Sequence, residues 1–213
     1  MDRNALIASE PVNEDRIAGY IEKLDRLYEK FASELKITGE EIKTARAIFD
    51  WLWSKKPSRY QRHGPFKLHQ VIDAQMSASA QTVGNCLGLT LLYHCLLRRS
   101  GIRAEAIYIE NAFDIGPHVL SSLTFDDCTI DVENILPDGF GFQGHLRNPS
   151  RIRWGDRELV ADIYLCLGNE CFEKDDLGGA LRNYEKALAL NPDYEKAHLN
   201  KIIAMGKLTD TGS

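Results

Sequence analysis

The chain has 213 residues, of which 44% are hydrophobic and 27% charged, and its 26 Lys and Arg against 31 Asp and Glu give a formal net charge of −5. That length is enough to bury a full core together with a small appended unit. The acid excess offers no general attraction to nucleic acid or to an anionic membrane surface, so neither is expected as a partner.

In chain order, Ile17, Tyr20, Ile21, Leu24, Leu27, Tyr28, Phe31 and Leu35 recur at three- and four-residue spacing and predict an amphipathic helix. A second helix is predicted after Gly39, with Thr38 and Glu41 as a capping box and Ile42, Ala45, Ile48, Phe49 and Leu52 as its stripe, until Pro57 stops it. Lys55, Lys56, Arg59 and Arg62, with Tyr60, read as the solvated end of that helix. Val83-Gly84 then punctuates the chain, and Asn85 is a good cap for a nearly all-apolar run from Leu87 to Leu97 that ends at Arg98-Arg99-Ser100-Gly101. This predicts a buried helix with Cys86 in its first turn, where unpaired N–H groups and the helix dipole favour a thiolate. The alternative is a small core residue, since free cysteines are often buried.

Ala104 to Glu110 alternates as a strand, and His118–Phe125 and Cys128–Glu133 form a hairpin about Asp126-Asp127. A cysteine on a helix, a histidine 32 residues later on a strand and an acid 13 residues beyond on the next strand are the types that thiol chemistry requires. An imidazole moves the thiol proton, and a carboxylate on its other nitrogen holds the tautomer. The hairpin register pairs 120 with 133 and 122 with 131, which brings Glu133 nearer to His118 than Asp131; a bulge reverses that order. The segment Leu136–His145 is a glycine-rich aromatic loop, either a plain connection or the wall of a cleft lined by Phe140, Phe142 and His145, with His145 a second candidate imidazole.

The order of these elements resembles the transglutaminase-like branch of the papain-like thiol enzymes. The resemblance covers residues about 47 to 135. It is carried by Ile48-Phe49-Asp50-Trp51-Leu52-Trp53, by His69-Gln70-Val71-Ile72-Asp73, by Gly84-Asn85-Cys86, and by Leu96 to Ala104 with its leucine, arginine and glycine-isoleucine pattern. It implies an α+β fold: a papain/transglutaminase-like core of N-terminal helices, a buried nucleophile helix and an antiparallel sheet. It also implies a catalytic triad of Cys86, His118 and Asp131; the Ile130-Asp131 context matches the family's acid better, with Glu133 second. Oxyanion donors would be the Cys86 N–H with Gln81 or Asn85.

Residues 161 to 194 resemble one tetratricopeptide repeat through Tyr164, Leu167, Gly168, Cys171, Ala180, Tyr184, Ala187 and Pro192, with Asp175-Asp176 and Gly178-Gly179 as the turn. Residues 194–208 add another helix, and 209–213 read as a frayed tail. A single repeat cannot bury its own faces, so it serves as a structural cap or as a groove for a protein partner, formed by residues 161–208. The expected organisation is therefore 1–46 as a helical segment on the core, 47–155 as the core and 156–208 as the helical unit.

Five cysteines, an odd number with no pattern beyond Cys166 and Cys171, argue for a reducing, cytoplasmic setting rather than a disulfide framework. Neither a secretory leader at Met1–Ile7 nor a bilayer-length apolar run is read. No cofactor or metal is expected: Cys86, Cys95, His94 and His118 lack zinc spacing, and the glycines at 139, 141 and 144 lack the setting of a phosphate loop. The expected function is a thiol-dependent hydrolase or acyltransferase acting on amide or acyl bonds, with a protein or peptide substrate. The alternative is an inactive scaffold that binds a protein through its helical C-terminus.

Overall fold

The computed structural model describes residues 1–9, 14–35, 39–126 and 128–211, with only the backbone at 210 and 211. It divides into two compact units, Met1–Gly155 and Asp156–Ser213. Among the described residues the chain is a mixture of eight helices and one four-stranded antiparallel sheet.

In the first unit, α1 (Asp2–Ser9), α2 (Glu14–Glu34) and α3 (Glu41–Lys55) precede α4 (Leu68–Met76) and α5 (Cys86–Arg99). Helix α2 buries Ile17, Leu24, Leu27 and Phe31 on one side, as its periodicity requires. Helix α1 was not read from the sequence. It buries Ala5, Leu6 and Ala8, and its Ser9 hydroxyl accepts from the Leu68 N–H at 3.1 Å, satisfying a free amide at the start of α4. Helix α3 begins at Glu41 with Glu40 as N-cap and no side-chain cap bond; Thr38 of the expected capping box lies outside the described residues. Arg59, expected in solvent, is 1% exposed. Its guanidinium lies 5.5 Å from the centre of the Trp53 ring, and burial lowers its pKa to about 9. The stem packs as an apolar side chain, and the ring face supplies what a carboxylate would otherwise.

Helix α5 is the centre of this unit. Every residue from Leu87 to Leu97 is buried, because α2, α3 and α4 pack on it and β2 (Gly116–Phe125) closes another side. A helix apolar all round has no solvent face to offer. Each fully buried leucine contributes about 1.5–3 kcal/mol relative to exposure. Within it the Tyr93 hydroxyl donates to the Ala45 carbonyl at 2.9 Å. Its C-terminal end carries Arg99, which pairs with Asp2 and, at 2.8 Å, with Asp25. A cation there complements the helix dipole while tying α1 and α2 to α5.

The sheet runs in the order β3-β2-β1-β4, with β1 (Glu105–Ala112), β3 (Cys128–Val132) and β4 (Arg151–Trp154). Pairing is antiparallel throughout, with Ile107 opposite Leu120 and Ser122 opposite Asp131. The second pairing is the register that alternation about Asp126 predicts. Phe113 and Asp114 close the β1–β2 hairpin at φ of 53° and 56°. Two left-handed residues match the twist of a tight hairpin, at a cost for a phenylalanine.

The second unit consists of α6 (Asp156–Glu173), α7 (Leu177–Leu190) and α8 (Glu195–Thr211). A Cβ at Gly168 would lie 2.3 Å from the Tyr184 ring, so only glycine lets α6 and α7 cross at this point. The Asp176 side chain caps α7 by accepting from Gly179 N at 2.8 Å. Helix α8 continues through Thr209–Thr211, where a frayed tail was expected; residues 212 and 213 lie outside the described ones.

Candidate active site

Cys86 opens α5 and is only partly buried. The turn before it is held from two directions. The Arg59 carbonyl accepts from the amides of Val83 (2.8 Å) and Gly84 (3.2 Å), and the Pro65 carbonyl accepts from that of Asn85 at 3.0 Å. Gly88 permits this closeness, since a Cβ there would lie 2.5 Å from the Pro65 oxygen. The Asn85 side chain accepts from Gly88 N at 3.0 Å, which caps the helix and fixes the direction in which Cys86 leaves it. That bond also commits the Asn85 carbonyl oxygen to the cap. Gln81 is exposed.

His118 lies on β2 opposite Ile109 and is 6% exposed. Its Nε2 is 2.8 Å from Glu133 Oε2, and Glu133 is fully buried. Burial alone would lower the pKa of this imidazole, but hydrogen bonds to Cys86 and Glu133 outweigh it and raise the value to about 10. Cys86 and Glu133 thus both act on this ring, and the contact with Glu133 is made through Nε2.

Asp131, expected in the carboxylate position, has another partner. Its side chain is 1% exposed and pairs with Arg151 of β4, at 2.8 Å from Oδ1 to Nη2 and 2.7 Å from Oδ2 to Nη1. Its backbone carbonyl accepts from Gly141 and Phe142 at 2.9 and 3.1 Å, holding the glycine-rich loop against β3. The reason is register. Asp131 sits opposite Ser122, four residues along β2 from His118, whereas Glu133 follows the end of β3 where the chain turns toward His118.

That loop brings His145 to the same place. His145 is 5% exposed, its ring centre is 5.9 Å from that of His118, and its Nε2 is 3.8 Å from the Glu133 oxygen that His118 engages. Burial and the positive charges of His118 and Arg151 lower its pKa against the opposing pull of Glu133. Phe113 and Phe142 stand edge-on to His145 at 4.5 and 5.2 Å, and Phe113 also contacts the His118 ring at 5.6 Å. Phe142 is partly buried, whereas Phe113 is 42% exposed at the lip of the cluster. Phe140 turns instead toward Phe49, at 6.1 Å.

Two supporting features were not legible in the sequence. Asn134 is fully buried and donates to Thr90 Oγ1 of α5 at 3.0 Å and to Ser121 Oγ of β2 at 2.8 Å; Ser121 also meets His94 Nε2 at 3.0 Å. This network fixes the residue after Glu133 to the helix that carries Cys86. Tyr60 pairs with Gly84 through an isolated parallel bridge. Burial raises the pKa of its phenol, and the charges of Cys86 and Glu133 add to the effect, which places the hydroxyl in the same field. The only signal for either feature was polarity within an otherwise apolar context.

Of the residues discounted as zinc ligands, Cys95 is buried within α5 and His94 is engaged by Ser121. A different set, His118, Glu133 and His145, has ligand atoms that all lie within 4.8 Å of one another, and all three residues are buried.

Comparison with known proteins bears on the second unit. Residues 168–201 match the family model of the TPR repeat. The matched segment begins seven residues beyond the expected start and includes Gly168, Tyr184 and Pro192. No curated protein and no solved structure matches the chain. Among the described residues, no helix is long and apolar enough to cross a membrane.

Proposed function

We propose that the first unit is a transglutaminase-like, papain-type thiol enzyme that hydrolyses amide or acyl bonds or transfers the acyl group to an amine. What supports this reading is the Glu133 oxygen 2.8 Å from His118 Nε2, together with the effect of Cys86 on the same imidazole. Cys86 attacks the carbonyl carbon and forms a thioester as the amine or alcohol departs. His118 takes the thiol proton and delivers it to the leaving group, then activates water or an acceptor amine for the second step. Glu133 fills the role first assigned to Asp131, orienting the ring through Nε2 and balancing its charge. The oxyanion meets the Cys86 N–H, one of the first-turn amides with no acceptor in the helix. Phe113 and Phe142 offer an apolar wall beside the reacting atoms.

An amide and ester screen tests this proposal. Turnover that Cys86→Ala and His118→Ala abolish supports it, and turnover retained by Cys86→Ala contradicts it.

A second reading concerns the TPR unit, since such repeats commonly mediate protein interaction. Leu199, Ile202, Ile203 and Met205 of α8 are 57, 66, 48 and 50% exposed. An exposed apolar row of this kind marks an interaction face. A protein partner bound by the wild type and lost with Leu199→Glu and Ile202→Glu supports a recognition role. Binding that those changes leave intact counts against it.

A further inference from the structure

We propose that His118, Glu133 and His145 form a binding site for a divalent transition-metal ion of the zinc class, with water in the remaining position. The thiol supplies none of its three ligands, but the ion takes His118 and Glu133 from the thiol mechanism, so the metal-bound and thiol-active states exclude one another and are tested separately.

The donor set is two imidazoles and one carboxylate, a combination that suits zinc and its neighbours and leaves a coordination position open. The geometry is close to what an ion requires. Zinc at about 2.0–2.1 Å from each ligand atom puts two tetrahedral ligands about 3.3 Å apart. Glu133 Oε2 lies 2.8 Å from His118 Nε2 and 3.8 Å from His145 Nε2, on either side of that spacing. All three ligand atoms lie within 4.8 Å of one another, so the ion would draw the two imidazoles together around the carboxylate.

His145 Nε2 supplies an independent observation. It is buried and has no hydrogen-bond partner, although the ring is enclosed by Phe113, Phe142 and His118. A buried nitrogen left without a partner is unfavourable, and a metal ion would satisfy it. The ligands are also supported from behind. Glu133 Oε1 accepts from the Ile135 amide at 3.4 Å, and Asn134 anchors the adjoining backbone to α5 and β2. Outer contacts of this kind hold ligands in direction. The rings enclosing the site are apolar, and the half-exposed Phe113 marks the side from which an ion would enter. Binding replaces the Glu133 to His118 hydrogen bond with metal bonds, and the proton on His118 Nε2 leaves to solvent.

Calorimetric titration of the full chain, stripped of metal and kept reduced, with Zn²⁺ alone tests the site. The expected result is one ion per chain, unchanged in Cys86→Ser and in His198→Ala of the second unit, and weakened at least about tenfold in His145→Ala. Circular dichroism checks that His145→Ala folds; His145→Asn serves as a second, polar variant. Absence of binding by the wild type, undiminished binding by both His145 variants, or loss of binding in Cys86→Ser would each overturn the proposal. Alkylation of Cys86 in the presence of a chelator reports on the thiol reading separately.

Discussion

The Glu133 carboxylate meets His118 Nε2 at 2.8 Å with neither side chain more than 6% exposed. Burial at that distance makes the pair a fixed element, since a charged or polar group removed from water must keep its partner. Two acids two residues apart in sequence therefore have separable roles, one on the imidazole and one on Arg151.

Glu133→Gln is expected to slow modification of Cys86 by iodoacetamide at neutral pH at least about tenfold, because the amide retains the shape and loses the charge that orients the ring. Asp131→Asn should leave that rate within about twofold while lowering stability by up to about 3 kcal/mol, the low end of the scale for breaking a buried ion pair, because Arg151 is partly exposed. Urea denaturation and site-resolved mass spectrometry together distinguish the two. Equal effects of both substitutions on labelling would remove Glu133 from its role.

Asn134→Ala leaves Thr90 and Ser121 short of a donor in a fully buried setting. The expected loss of stability is about 1–3 kcal/mol. If Asn134 positions Glu133, Cys86 labelling also falls, and Asn134→Asp, which keeps the side-chain shape but supplies neither N–H donor and buries a charge, lowers the rate at least as far. A stability loss with unchanged labelling would make the network structural only.

In the second unit, burial raises the Asp162 pKa to about 6 against the opposing hydrogen bond from Tyr194 at 2.7 Å. The folded state therefore holds this proton more tightly than the unfolded state. Stability is fully present below the unfolded value near 4 and is lost as pH rises to about 6, by no more than about 3 kcal/mol. Asp162→Asn should accordingly slow hydrogen exchange of α6 and α8 amides in the full chain at pH 7 and leave it unchanged near pH 4. Faster exchange in the variant at pH 7 would reverse the sign of this argument.

Helix α5 was legible because Asn85 caps an unbroken apolar run, and the β2–β3 register followed from alternation about Asp126. The pairing of alanine, glycine and tyrosine positions in α6 and α7 identified the repeat. Other elements left weaker marks. Strand β4 has four residues, and its alternating arginines resemble a loop; without it, Asp131 had no visible partner. Arg59 read as a solvated cation because the ring that covers it, Trp53, is contributed by a helix whose packing only the tertiary structure reveals. For Glu133, local register argued correctly for proximity to His118, while motif context favoured Asp131; distance along the strand decided the geometry. His145 reached the cluster through a loop whose path no periodicity describes.

The most direct test of the thiol site is the rate of Cys86 alkylation by iodoacetamide at pH 7, with chelator present, in the wild type and in His118→Ala. The account predicts rapid, Cys86-selective labelling in the wild type and a loss of at least about tenfold in the variant. Labelling of Cys86 no faster than that of the exposed Cys128, and indifferent to His118, would contradict it.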